Sequence, residues 1–125
     1  MGWQPPLTVA TTWLRPDICL FQLAGEIDTD TAPLLDEHLR THTSARPTYL
    51  LLDVRAVTFC AAAGITVIVR AARDDQGIHG HLRVIAVTGN GSVARVLHIT
   101  GIDALLHIHQ TVDDALDAID KISQN

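Results

Sequence analysis

The sequence predicts an α/β fold, with a mixed, mostly parallel sheet of about five strands flanked by four helices. Segments of strand length recur along the chain, and segments whose apolar residues have helical spacing separate them. The first two strand-like segments are joined by a short turn, which indicates an antiparallel hairpin. The later strands are separated by helices, which indicates parallel pairing. The expected element order is therefore ββαβαβαβα.

The hairpin is predicted at residues 7–13 and 18–24. The first segment (LTVATTW) alternates and contains β-branched residues, and the second (ICLFQLA) is an apolar run of strand length. Arg15-Pro16-Asp17 between them is a turn signal, because proline fixes φ and aspartate bonds readily to nearby backbone. The two segments are therefore expected to pair with each other.

Helical patterning begins after the hairpin. Pro33 is tolerated in the first turn of a helix, where its missing N–H is not needed. Short polar side chains that can accept hydrogen bonds from the helix N-terminus precede it, at Asp28, Thr29 and Asp30. Helical spacing then runs through Leu34, Leu35, His38, Leu39 and His42.

The middle of the chain contains a central strand and an ambiguous segment. Residues 49–54 (YLLLDV) form a nearly continuous apolar run, which suits a strand covered on both faces, with Asp53 at its end. Residues 61–73 combine a β-branched stretch with an alanine-rich start and end. The length of this segment favours a helix.

The last third of the chain repeats the strand–helix pattern twice. Strands are predicted at residues 82–87 and 105–108. One helix is expected to begin at Ser92 and to end at Gly101, since glycine readily adopts the left-handed conformation that ends helices. Thr111 is the expected N-cap of the final helix, whose apolar residues have clear helical spacing.

Composition indicates one globular domain over residues 1–125, with its core at about 7–122. The chain is 47% hydrophobic and 18% charged, unlike a disordered chain. Nine basic residues against 14 acidic residues give a net charge of −5, so no basic stripe is available to follow a phosphate backbone. We therefore expect no nucleic-acid partner.

The sequence also argues against a membrane protein. The longest apolar stretch, residues 61–69, has nine residues, whereas a bilayer span needs about 20. The N-terminus has neither the charged leader nor the apolar region of a signal peptide. The two cysteines, Cys19 and Cys60, lack CxxC spacing and fit a reducing compartment. These features predict a cytoplasmic protein.

The seven histidines do not form a metal motif. His79-x-His81 and His107-x-His109 each place two imidazoles on one side of an extended strand, but no cysteine or carboxylate motif stands beside either pair. No nucleophile–base motif is present either, and Asp53 is interpreted as a polar strand end rather than a phosphoacceptor. We expect no metal, no cofactor and no enzymatic activity.

Two features are candidates for a regulatory input. The glycines of residues 88–92, between a strand and a helix, would let backbone N–H groups approach an anion or make a weak nucleotide contact. The full P-loop and GxGxxG patterns are absent, which favours the alternative of a flexible strand-to-helix turn. Cys60 directly precedes the helix expected from Ala61. A helix N-terminus lowers the pKa of a thiol, which makes Cys60 a candidate for oxidation. The alternative is that Cys60 is a small buried hydrophobe.

Three segments together carry a family pattern, in a fixed order along the chain. They are Gly25-Glu26-Ile27-Asp28 with Thr31-Ala32-Pro33, residues 51–60 leading to Gly64-Ile65, and residues 95–102 followed by residues 112–116. In these segments the chain resembles the STAS domain (sulfate transporter and anti-sigma factor antagonist), specifically the small stand-alone bacterial anti-sigma factor antagonists. The resemblance implies a mixed sheet flanked by helices, and it assigns the segment after Cys60 to a helix.

The resemblance also implies a phosphorylation switch that this chain has lost. In the family, an Asp-Ser-Ser-Gly tetrad opens the helix, and a partner anti-sigma factor that is a serine kinase phosphorylates the first serine. The phosphate blocks binding because it brings repulsion and a desolvation cost. Here the tetrad reads Ala61-Ala62-Ala63-Gly64. Ala62 takes the serine position without a hydroxyl, so we expect no phosphorylation there.

The family pattern places the partner-binding surface at the loop-to-helix edge, at Asp28, Thr31, Cys60, Ala61, Ala62, Ala63 and Gly64. Three interpretations follow. The chain is an antagonist that binds an anti-sigma factor without a phosphorylation switch, or a divergent STAS module with another partner or a Cys60 redox or small-ligand input, or a nucleotide binder that uses the Gly89–Ser92 turn. We favour the first, and the oligomeric state stays open.

Overall fold

The computed structural model describes residues 6–44, 49–73, 82–87 and 91–123. Its strands and α-helices are β1 (Leu7–Arg15), β2 (Ile18–Ile27), α1 (Ala32–Ser44), β3 (Tyr49–Cys60), α2 (Ala62–Arg73), β4 (Leu82–Ile85), α3 (Ser92–Thr100), β5 (His107–His109) and α4 (Val112–Ser123). A short 3₁₀ helix, Ile102–Leu105, lies between α3 and β5. The predicted α/β class and the order ββαβαβαβα are confirmed.

The five strands form one mixed sheet in the order β1-β2-β3-β4-β5. β1 and β2 pair antiparallel across the Pro16-Asp17 turn, as predicted. Every later pairing is parallel, because a helix returns the chain to the same end of the sheet before each new strand. As a result, the carboxyl ends of β2 to β5 lie along one edge of the sheet, and the four helices begin there.

The helices cover the sheet unequally. Buried residues of α1, α2 and α3 join one large apolar cluster with Phe21 and Leu52 of the sheet. α4 covers the other face, where Ala115 and Ile119 pack against Leu51. Adjacent residues of β3 therefore face different helical layers, and both Leu51 and Leu52 are fully buried. This confirms the prediction that the central strand is covered on both faces. None of the helices in the described ranges is long and apolar enough to cross a bilayer.

β3 is longer than the sequence indicated. The prediction ended this strand near Asp53, but the strand continues to Cys60 because β2 keeps pairing with it as far as Ile27. Asp53 therefore lies inside the strand, where its buried carboxylate accepts two hydrogen bonds from the Arg55 guanidinium, at 3.0 and 2.9 Å. The extension carries the chain directly into α2.

The segment with ambiguous propensity is helical. α2 turns Gly64, Ile65 and Ile68 toward the core at helical spacing. Propensity differences are a few tenths of a kcal/mol per residue, whereas burying a large aliphatic side chain contributes about 1.5–3 kcal/mol, so packing decides the outcome. The resemblance to the STAS family had assigned this segment to a helix, and that assignment is confirmed.

The ends of two helices match their local signals, whereas the last strand begins later than predicted. Gly101 adopts the left-handed conformation at the end of α3 (φ 76°), and the Thr111 hydroxyl accepts a hydrogen bond from the Asp114 N–H, at 3.0 Å. The strand predicted at residues 105–108 begins at His107 instead. Leu105 belongs to the 3₁₀ helix, and pairing starts only where His107 lies beside β4.

Leu97 and Ile99 of α3 have side chains of the same size but differ in burial, so their substitution tests how α3 packs. Leu97 is fully buried, whereas Ile99 is 74% exposed. We expect Leu97→Ala to lower the free energy of unfolding by about 2–5 kcal/mol, because it leaves a cavity. Ile99→Ala should change it by less than about 0.5 kcal/mol. Urea unfolding monitored by circular dichroism measures both, and equal losses would contradict this packing of α3.

Candidate partner-binding site

The candidate site lies where β2 leads into α1 and β3 leads into α2. The last pair of the β2–β3 ladder joins Ile27 and Cys60, and the Ala61 N–H then donates to the Ile27 carbonyl at 2.8 Å. This bond fixes the start of α2 beside the turn that follows β2. The parallel register thus brings Asp28 and the Ala61–Gly64 segment together, although more than 30 positions separate them in sequence.

The turn before α1 is held by Asp28 and Thr31. The Asp28 carboxylate accepts hydrogen bonds from the backbone N–H groups of Asp30 and Thr31, each at 2.9 Å. The Thr31 hydroxyl accepts from the Asp28 N–H at 2.8 Å and lies 2.9 Å from the Glu26 carbonyl. The hydrogen bond from the Thr31 N–H is the main cause that lowers the pKa of Asp28.

These bonds separate the roles of two predicted site residues. Asp28 is partly exposed and ionised, and its carboxylate satisfies N–H groups just before α1, as its N-cap prediction required. Thr29 and Asp30, the other N-cap candidates, lie within the turn, and α1 itself begins at Ala32. Thr31 is only 3% exposed, so it positions the turn and does not offer a contact surface.

The three alanines differ in exposure. Ala62 is exposed at the first position of α2, whereas Ala61 and Ala63 are half-buried. The Ala61 carbonyl accepts the first bonds of the helix, from the N–H groups of Gly64 and Ile65, at 3.0 and 3.3 Å. The residue at the family serine position therefore points to solvent, and a methyl group stands where the hydroxyl would be.

Gly64 allows α2 to lie close to the sheet. It is buried, and a Cβ atom at this position would overlap the side chain of Ile27 and approach the Cys60 sulfur to 3.0 Å. The glycine is thus needed for close packing of the helix start, and we assign it no contact with a partner. The family pattern retains it for a reason visible in this fold.

Cys60 is buried beneath the start of α2, and the prediction that its thiol pKa is lowered is wrong. Its side chain is 7% exposed, and burial raises the pKa of the thiol to about 11. Loss of solvation is the cause of this shift, and the thiol lies 3.6 Å from the Ala61 carbonyl, to which it donates. Burial likewise raises the pKa of Cys19. Both thiols are protonated at neutral pH, and Cys60 acts as a small packing residue.

Two surface grooves flank α2 and share Thr66 and Arg70. One, of about 310 Å³, lies toward α1 and is lined by Thr29, Ala32, Pro33, Asp36, Ala63, Thr66, Val67 and Arg70. The other, of about 410 Å³, is lined by Ile65, Thr66, Val69, Arg70, Arg73 and Ile102. Thr66 and Arg70 follow Ala62 at intervals of four and are exposed. Sequence reasoning missed Arg70, and only the helical assignment of α2 reveals that spacing.

The other candidate features do not form a site in the described residues. These residues hold no group of three or more metal-ligating side chains. His109 lies 2.9 Å from the Arg83 guanidinium, and burial is the main cause that lowers its pKa. The Ser92 hydroxyl donates a hydrogen bond to the Thr58 carbonyl, so this hydroxyl already serves a structural contact between α3 and β3. The His79–His81 pair and residues 88–90 of the glycine-containing turn lie outside the described residues.

Comparison with known proteins identifies the family of this fold. The STAS domain profile matches residues 11–115, and the chain belongs to this family. A curated relative is the anti-sigma-F factor antagonist RsfB of Mycobacterium tuberculosis. It is 30% identical over 103 residues, which cover 82% of this chain and 81% of RsfB.

Solved structures show the same fold. An anti-sigma factor antagonist from Mycobacterium paratuberculosis superimposes with a TM-score of 0.82 at 26% identity, covering 91% of this chain and 94% of that one. A putative anti-sigma factor antagonist from Thermotoga maritima gives a TM-score of 0.77 at 18% identity, covering 90% of this chain and 94% of that one. The second likeness concerns the fold alone.

The burial of Cys60 predicts a thiol that reacts slowly. The rate of alkylation by iodoacetamide should rise about tenfold per pH unit from pH 7 to 10, because only the thiolate reacts and the pKa is far above neutrality. The free energy of unfolding should fall between pH 9 and 11, where the unfolded thiol ionises and the native thiol does not. Cys19→Ser isolates Cys60, and mass spectrometry follows the modification. A rate that levels off near pH 7 would contradict the buried thiol.

Proposed function

We propose that this protein is an anti-sigma factor antagonist that binds an anti-sigma factor through the start of α2 and is not switched by phosphorylation there. The observation that carries the proposal is the exposed Ala62. It occupies the family serine position, next to Ala63 of the groove between α1 and α2, on a chain whose relatives are anti-sigma factor antagonists.

The geometry supports a division between positioning and contact residues. Thr31, Cys60 and Gly64 are buried, and they hold the α1 turn and the α2 start against each other. The contact surface therefore consists of the partly exposed Asp28 and the alanines 61–63, extended along α2 by Thr66 and Arg70. At the three alanines a partner meets small apolar side chains, which require little desolvation of polar groups, whereas Asp28 and Arg70 offer charges at the margins of the surface.

The missing hydroxyl changes how such a complex is controlled. A phosphoserine carries a charge of roughly −1.5 to −2, which opposes docking by repulsion and desolvation where it faces a tight interface. Alanine cannot accept a phosphoryl group, so this surface stays competent for binding whatever the kinase activity of the partner. The amount of the protein then sets the amount of free anti-sigma factor, by mass action.

A single added charge tests the surface. We expect Ala62→Asp to weaken binding to an anti-sigma-F factor, the class that RsfB is named for, at least about tenfold, because the carboxylate must be desolvated at the contact. Ala104→Asp is the matched control. Ala104 is an exposed alanine in the 3₁₀ helix that precedes β5, at the amino end of the parallel strands. Isothermal titration calorimetry measures both variants.

The control also distinguishes an effect on the contact surface from an effect on the stability of the fold. Ala104→Asp should bind like the unaltered chain, and both variants should keep the circular dichroism spectrum. If the affinity of Ala62→Asp were unchanged, the start of α2 would not be the interface.

The absence of a switch has its own test. After incubation with ATP and a serine-kinase anti-sigma factor, intact mass spectrometry should show no added phosphate on this chain, and the complex should persist. A variant that restores the tetrad (Ala61→Asp, Ala62→Ser, Ala63→Ser) supplies the positive control, since it regains the hydroxyl at the family position. Stoichiometric phosphorylation of the unaltered chain at Thr58 or Thr66 would overturn this part of the proposal.

A further inference from the structure

β1 is an unprotected edge of the sheet. It has nine residues, and within the described ranges β2 is its sole strand partner. The opposite edge, β5, has three residues and ends in histidines. Short and polar edge strands resist further pairing, whereas a long edge strand leaves a row of N–H and C=O groups open to another strand. The two edges of this sheet are therefore not equivalent.

The side chains of β1 do not protect it. From Leu7 to Leu14 the sequence reads LTVATTWL, which contains no charge and no proline, the residues that usually block edge pairing. Residues 10–13 are exposed, so the middle of the strand is uncovered on both faces of the sheet. Trp13 is 46% exposed, although tryptophan is a residue that usually gains from burial.

The hydrogen-bond pattern shows which residues face outward along this edge. The Glu26 N–H donates to the Pro6 carbonyl at 2.7 Å, and the β1–β2 register continues this pair to Thr8 opposite Ala24. Hydrogen-bonded pairs alternate with non-bonded pairs in an antiparallel ladder. Up to residue 12 the even-numbered residues of β1 therefore bond to β2, and the N–H and C=O groups of Val9, Thr11 and Trp13 point away from the sheet. The register shifts between Trp13 and Arg15, so the regular edge ends at Trp13.

From this geometry we infer that β1 pairs with β1 of a second copy of this chain, antiparallel, about a two-fold axis at Thr11. This register uses the outward groups of Val9, Thr11 and Trp13 in both copies, which lie in the regular part of the strand before the shift at residues 13–15. It places Val9 of each copy opposite the partner's Trp13, which gives two apolar cross-strand pairs. A two-fold contact needs such a self-complementary surface.

Charge does not oppose this arrangement. The Arg15 guanidinium at one end of β1 donates to the Asp120 carboxylate of α4 in the same chain, at 2.7 and 3.3 Å, so this end of the strand carries a paired charge. The exposed Glu26 flanks the other end. The uncharged stretch between these ends lets two chains of net charge −5 approach along this edge.

The interface is small and closed. A strand of nine residues per copy is well below the roughly 20–30 residues a side of a standard interface, so we expect a concentration-dependent equilibrium between monomer and dimer. Pairing consumes both β1 edges, and the three-residue β5 does not support continued growth. No residue of the Ala61–Ala63 surface belongs to β1, so this inference does not depend on the proposed function.

Cysteine cross-linking tests the register directly. In Thr11→Cys the two-fold axis places the new cysteine opposite its own copy, at about 5.5 Å between Cα atoms, which is within the range that a disulfide bridges. Ala10→Cys and Thr12→Cys are matched controls, because residue 10 lies opposite residue 12 and neither lies opposite itself. Cys19 and Cys60 are buried, which keeps the background low.

After mild oxidation, Thr11→Cys should form several-fold more covalent dimer on a non-reducing gel than either control alone. A mixture of Ala10→Cys with Thr12→Cys should cross-link, although neither does so separately. Sedimentation velocity provides a readout without cysteines. Thr11→Lys should abolish the dimer of the unaltered chain, because two lysines would face each other. Thr66→Lys, an exposed threonine on α2, should retain the dimer.

Equal cross-linking at positions 10, 11 and 12, or no cross-link in the mixture, would overturn this register. A chain that sediments as a monomer at every concentration up to the millimolar range would overturn the inference as a whole. The mixture of Ala10→Cys with Thr12→Cys and the sedimentation of the unaltered chain both test the dimer without the Thr11→Cys variant.

Discussion

The parallel pairing of β2 with β3, continued to Ile27 and Cys60, is the constraint on which the candidate site depends. The hydrogen bond from the Ala61 N–H to the Ile27 carbonyl extends that ladder beyond the last strand pair. It fixes where α2 begins relative to the turn before α1. Gly64 then lets the helix lie against Ile27 without a steric clash. This register and the contact of α1 with α2 together keep the two segments adjacent.

The same constraint holds the start of α2 in place without hydroxyl side chains at positions 61–63. The start of α2 is held by backbone hydrogen bonds and by buried packing, and none of these interactions needs a serine or aspartate side chain at positions 61–63. Alanine is also the best helix former, so it does not weaken the first turn. The geometry of this helix start is therefore independent of the side chains at positions 61–63, as the proposed binding without a phosphorylation switch requires.

Two distinct surfaces emerge from the sheet, and they follow different physics. At the carboxyl ends of β2 and β3, small side chains at a helix start form the proposed partner contact, which we expect an added charge to disrupt. At the edge of β1, backbone groups offer hydrogen bonds that side chains leave uncovered. The net charge of −5 bears on both, since it disfavours nucleic acid as a partner and leaves recognition to short, weakly charged stretches.

Local patterns determined much of this protein, namely the element order, the hairpin, the αL glycine at Gly101 and the Thr111 cap, because each depends on residues close in sequence. The family pattern added the location of the candidate site and the helical state of α2. Tertiary structure alone decided the length of β3, the burial of Thr31, the raised pKa of Cys60 and the groove between α1 and α2. These properties arise from pairing and desolvation by segments distant in sequence, which no local pattern encodes.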